Sequence, residues 1–192
     1  LSCEIAGRFF MDAFLAQLLE ETEWERREHA AVLWQALRQI GVNLLHLPFR
    51  FELSHRLHEE RRHGYLSVND INKLTNTIWE DYFADTVRGS DQYVWAAKLH
   101  FYLPREPHYD WQYTAGYLIA AVLRRRLLAD GRTACGGSFG DFLSDCATID
   151  CDELIRRHLG ADPASDAFWT DAATEALNVI RDADRHIQSF IS

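Results

Sequence analysis

Residues 100–118 of this 192-residue chain concentrate polar aromatic chemistry: two histidines, four tyrosines and one tryptophan fall within nineteen positions. His100 opens the group, residues 101–110 read as a loop holding Pro104 and Pro107, and Tyr109 sits near the end of that loop. Tyr113 and Tyr117 follow four apart, the spacing that puts two side chains on one face of a helix. Phenol and imidazole N–H groups donate hydrogen bonds, so such a cluster suits the stabilisation of a carbonyl oxygen as it becomes an oxyanion. The plain alternative is aromatic packing, with each hydroxyl bonded to backbone. Gly116 lies inside the same helix, where glycine costs about 1 kcal/mol relative to alanine. Its presence there points to the close approach of another backbone or of a ligand.

A second group imitates a metal motif. His58-Glu59-Glu60-Arg61-Arg62-His63 has the ingredients of a zinc helix but the wrong spacing. Two histidines must stand four apart to share a helix face, with glutamate beside the first as base. His58 and His63 are five apart, about 140° from one another around a helix. His55 and His58 are three apart and can share a face, yet no acidic ligand accompanies them. The run is read as a solvated, charged helix end.

The elements that must position these groups are helical. No alternating, β-branched run bounded by turns occurs. Residues 4–20 carry the apolar stripe Ile5, Phe9, Phe14, Leu15, Leu18 and Leu19. Residues 25–62 predict one long helical stretch, kinked or split at Pro48, with Gly64 as its stop. Ser67 predicts an N-cap with Asp70 three residues on, Leu66 and Ile71 forming a hydrophobic staple, and a helix to about Ala84. Further helices are predicted over 91–98, 111–129, 138–146, 151–159 and 166–190. Gly131, Gly136 and Gly137 mark a turn, and Asp150 with Glu153 caps the helix at 151. The expectation is a single all-α domain over residues 1–192, of roughly eight helices.

Composition narrows the function classes. The chain is 47% hydrophobic and 26% charged, ordinary for a globular domain. A net charge of −9 argues against a nucleic-acid partner, which calls for a basic face. The longest apolar runs are too short to cross a bilayer, so no membrane partner is expected. Cys3, Cys135, Cys146 and Cys151 form no CxxC pair, which favours a reducing, cytoplasmic setting over a disulfide framework. The chain begins at Leu1 and its sole methionine is Met11, which leads to the expectation that it is part of a longer protein.

Taken in order, these residues resemble a known family. The stretch WAAKLHFY at 95–102, then Tyr109, Tyr113 and the Gly116-Tyr117-Leu118 step, is similar to the late catalytic segment of the M3 family of zinc oligopeptidases, in its oligoendopeptidase F branch. FRFE at 49–52, His58-Glu59 and GYLS at 64–67 resemble another of its segments. GAD at 160–162 with Phe168-Trp169 resembles its terminal element, and Glu4-Ile5-Ala6 resembles the step that supplies its third zinc ligand. The likeness covers nearly the whole chain and lacks the HExxH helix.

The resemblance implies a zincin-like catalytic domain in which two histidines and a glutamate hold zinc, and the metal acidifies a water that attacks a peptide bond. Carried over by position, Glu4 is the third zinc ligand and His100 the downstream histidine. Tyr109, Tyr113 and Tyr117 are candidates for oxyanion stabilisation and peptide binding, with the tyrosine that faces the oxyanion left open. Zinc would bind only in the complete protein, short peptides would be the substrates, and this chain alone would be inactive. The alternative is a non-catalytic helical module, derived from the family, that binds peptides or proteins. Two departures bear on the choice: Met11 stands where the family has an acid, with Asp12 beside it, and His108 replaces an apolar aromatic. The missing helices, or a second chain, would cover an apolar surface near residues 1–15 and the tyrosine cluster, and a homo-oligomer could form through it.

Overall fold

A computed structural model describes residues 1–19, 25–129 and 132–191. The α-helices along it are α1 (Ser2–Leu19), α2 (Arg26–Gly41), α3 (Leu47–Arg62), α4 (Val68–Phe83), α5 (Val94–Ala97), α6 (Trp111–Ala129), α7 (Arg132–Asp145), α8 (Cys151–Leu159) and α9 (Asp166–Ile191). There is no strand among the described residues, so the all-α expectation holds. Among those residues, no helix is long and apolar enough to cross a membrane. The chain divides into two compact units, one of Leu1–Ile40 with Ala115–Ser192, the other of Gly41–Thr114.

Unit 2 is built on α3 and α4. Ser67 accepts from the Asp70 N–H, and the Asp70 carboxylate accepts from the Ser67 N–H, so both ends of the predicted capping box are made. That cap starts a helix whose Ile71, Ile78 and Phe83 bury against Phe49, Leu53 and Leu57 of α3, with Leu66 packed alongside. The Phe49 ring meets Trp79 edge-on at 5.3 Å. The predicted break at Pro48 falls earlier in the chain. A π-helical turn, Val42–His46, separates α2 from α3, and Pro48 occupies the first turn of α3, where its missing N–H leaves no helix bond unmade. The helix expected over 91–98 is a single turn, Val94–Ala97, with Val94 buried in the core and Trp95 packed against it.

Unit 1 packs around its own part of α6, from Ala115 onward. Ile119, Ala120 and Leu123 lie fully buried among Ile5 and Phe9 of α1, Phe139 and Phe142 of α7, Leu154 and Leu159 of α8, and Phe168 of α9. Phe9 and Phe139 stack with centroids 4.0 Å apart. Asp150 caps α8 by accepting from the Glu153 N–H at 2.8 Å, as its sequence predicts. Gly160 ends α8 in the left-handed region at φ 54°, and Arg126 of α6 donates to the Leu159 carbonyl there. α7 runs through Gly136 and Gly137, where a turn was expected; burying Phe139 and Phe142 outweighs a glycine penalty of about 1 kcal/mol each. Gly131 lies outside the described residues.

Gly116 meets the close neighbour that its position implied. A Cβ placed on it would stand 2.7 Å from the Glu4 Cβ and 3.3 Å from the Glu4 carbonyl carbon, so α1 and α6 touch backbone to backbone at this point. Gly116→Ala should therefore destabilise the chain by about 1–3 kcal/mol despite alanine's better helix propensity. Gly7→Ala, where an added Cβ meets nothing, should stabilise by up to about 1 kcal/mol. Urea unfolding of the two variants should move the midpoint in opposite directions.

Candidate functional site

Three of the residues singled out by sequence come together in unit 2. His100 lies in a 3-10 turn, Leu99–Tyr102, after α5. Tyr109 ends the following loop, and Tyr113 sits in the first turn of α6. The His100 ring is 5.3 Å from Tyr109 and 5.8 Å from Tyr113, and the two phenol rings are 5.6 Å apart. His100 Nε2 is 3.2 Å from the Tyr113 hydroxyl. All three line a cavity of about 510 Å³, with Leu99, Leu103 and Pro104 as its apolar wall and Arg105 and Glu106 adding one charge of each sign. A concave, largely apolar pocket with a few convergent donors is the form that small ligands require.

Behind the ring stand two residues, Arg50 and Asp110, that the sequence did not mark as part of a site. Arg50 of α3 and Asp110 are 6% and 2% exposed, and Arg50 Nη2 lies 2.8 Å from Asp110 Oδ1. The same Nη2 is 2.7 Å from His100 Nδ1. The contact between the charges is an ion pair without hydrogen-bond alignment, and Asp110 Oδ1 and Arg50 Nε have no hydrogen-bond partner. Burial raises the Asp110 carboxyl above the usual range, against the pull of Arg50, His100 and Lys98. The signal in the sequence was register: Arg50, Ser54 and Leu57 follow the i, i+4, i+7 spacing of a buried helix face, and all three are buried. At the base of α6, Thr114 donates to the Asn43 carbonyl of the π turn at 2.8 Å.

The histidines of α3 acquire a third neighbour from the loop. His108 adopts φ +60°, rare for a non-glycine residue, and its ring sits 4.8 Å from His58 and 5.4 Å from His55. Its Nδ1 is 3.1 Å from the Ser54 hydroxyl, while His58 Nδ1–H donates to the Ser54 carbonyl at 2.7 Å. Burial first, then the neighbouring His58 and His55, lowers the His108 pKa, and Glu59 opposes the shift. The exposed His63 ends the same helix.

Glu4 and Tyr117 belong to unit 1. Glu4 lies in the first turn of α1 and meets Gly116. Tyr117 is 2% exposed, and its phenol is raised above the usual range by burial and then by Asp12. Burial pushes the Asp12 carboxyl up to about 6, against Arg124 and Arg8. Among the described residues no three His, Cys, Asp or Glu side chains are placed to hold a metal ion. One glutamate does not by itself make a catalytic zinc site. Cys3, Cys146 and Cys151 are free thiols. α1 exposes Phe10, Met11 and Phe14, and Leu99, Tyr102 and Trp111 near the aromatic cluster are also exposed. Apolar exposure was expected in both places.

Comparison of the chain with known protein families, with characterised proteins and with solved structures gives no match.

Two titrations follow from this geometry. Asp12 has a folded-state value above 3.8, so its contribution to stability is full below pH 3.8 and is lost as pH rises through about 6. Asp12→Asn should abolish that loss and leave the variant more stable at pH 7 by on the order of 2 kcal/mol, measured by urea unfolding at pH 4 and 7. His108 has a folded value below 6.5, so the stability it contributes is present above 6.5 and lost as pH falls through the folded value. His108→Asn, which tolerates positive φ, should flatten the fall in unfolding midpoint between pH 6.5 and 5.

Proposed function

We propose that this chain is the C-terminal part of the catalytic domain of an M3-type zinc oligopeptidase, and that it supplies the groups that grip a short peptide and stabilise its reacting carbonyl. The observation that carries this reading is the meeting of His100, Tyr109 and Tyr113 on one cavity, the grouping that the resemblance assigns to oxyanion and peptide binding. The imidazole and the phenols are donors of the type that a carbonyl oxygen needs as charge develops on it. Leu99, Leu103 and Pro104 suit apolar side chains of a peptide, while Arg105 and Glu106 suit its charged ends. Glu4 would be the third zinc ligand, with the remaining ligands and the metal's chemistry supplied from outside these residues. The exposed Phe10, Met11 and Phe14 of α1 also support a covering partner.

A second reading, a non-catalytic peptide-binding module of the same descent, is favoured by Met11. An exposed thioether stands where the family places an acid behind the metal ligand.

The coding sequence upstream of Leu1 separates the two readings. The peptidase requires an HExxH motif about 25 residues before Glu4. A longer chain carrying it should cleave quenched fluorescent peptides in a chelator-sensitive way. His100→Ala in that chain should lower kcat by about 10²-fold with a smaller change in KM. Absence of the motif, or of cleavage, removes the peptidase and leaves the module. The 192-residue chain by itself should cleave none of these peptides.

A further inference from the structure

We propose that Arg50 locks His100 in its Nε2–H tautomer, so that the imidazole faces the cavity as a neutral hydrogen-bond donor, and that Arg50 is thereby a positioning residue for this site. The lock rests on the geometry alone; its catalytic meaning rests on the peptidase reading.

A guanidinium has five N–H donors and no acceptor, and it keeps its proton at any ordinary pH. Arg50 Nη2 lies 2.7 Å from His100 Nδ1, so Nδ1 has to present a lone pair. A neutral imidazole has one lone pair and one N–H, which places the hydrogen on Nε2. Nε2 in turn lies 3.2 Å from the Tyr113 oxygen, a suitable acceptor. A doubly protonated ring would set N–H against N–H at the Arg50 contact. Asp110 holds the guanidinium in place from 2.8 Å, and both charges are nearly fully buried, so the pair has little freedom to turn away from the ring.

The order of groups is the reverse of the one that makes a histidine a base. In a carboxylate–histidine pair, the carboxylate accepts from Nδ1–H and leaves the Nε2 lone pair facing the substrate. Here a cation occupies the place next to the ring, and the carboxylate stands one step further back. His100 therefore shows the cavity an N–H instead of a lone pair. In that state it neither takes a proton nor ligates a metal through Nε2. In this structure it donates to the Tyr113 oxygen, and a peptide carbonyl, under the peptidase reading, would take that oxygen's place as the acceptor.

Ring-nitrogen NMR of the full 192-residue chain labelled with 15N-histidine tests the lock, with His100→Gln assigning the signals. At pH 8 the wild type should show His100 Nδ1 at the unprotonated position and Nε2 at the protonated one. The opposite pattern, an averaged pair or two protonated nitrogens would overturn the proposal. Arg50→Lys should keep the wild-type pattern, because an ammonium also only donates. Arg50→Met should lose it and give averaged shifts. An Arg50→Met chain that folds and keeps the Nε2–H pattern would remove Arg50 from the role. Should that variant not fold, the wild-type and Arg50→Lys spectra decide alone. Peptide cleavage by the longer chain is scored separately: a locked ring without cleavage removes the peptidase reading and leaves the lock, and cleavage with a different tautomer does the reverse.

Discussion

A cation buried beside a carboxylate is the constraint on which the aromatic site depends. Arg50 and Asp110 are almost wholly removed from water, and ions in that position cost several kcal/mol each unless the pairing is close. Their contact at 2.8 Å meets part of that cost, and it ties α3 to the residue that precedes α6. The His100 ring is held against the same guanidinium, and Tyr109 and Tyr113 pack on that ring. The site is thus assembled from a helix, a 3-10 turn, a loop end and a helix start, joined at one charged contact. Replacing the pair by apolar residues of similar volume could preserve the fold. It would not preserve the aim of the imidazole.

The apolar packing around the site explains why this contact can be rigid. Phe49, the residue before Arg50, is fully buried between Trp79 and Phe83, and Leu53 is fully buried one turn on. A helix anchored on both sides of a charged residue gives that residue few positions to occupy. The loop that bears Tyr109 is held differently. His108 carries a strained backbone and sits partly buried among other imidazoles, so its grip weakens as its own ring gains a proton. One side of the site is fixed by packing, and the other by contacts that respond to pH.

What the sequence made legible follows from the range of the forces involved. The caps at Ser67 and Asp150 were readable because a capping bond spans three residues. The all-α class was readable from apolar periodicity, and the aromatic cluster from composition within a short window. The break before α3 was misplaced at Pro48, since proline is as acceptable in a first turn as it is disruptive in a helix interior. The glycines of α7 suggested a turn because propensity is a weak term beside the burial of two phenylalanines. Arg50 was missed for a different reason. Its importance arises from Asp110 and His100, sixty and fifty positions away, and only the fold brings those distances to zero. His108 joined the α3 histidines in the same way.

The π-helical turn over Val42–His46 gives unit 2 a dependence on counting as much as on chemistry. Asn43 offers its carbonyl to Thr114 at one end of this stretch, and Arg50 reaches Asp110 seven residues later. Each residue advances a helix by about 100°, so the widened turn sets the angular phase between the two contacts. Deleting a single residue there would leave every side chain chemically intact and swing Arg50 about a quarter of a revolution away from its partners. Drift in the identity of those five residues would be far easier to absorb than a change in their number.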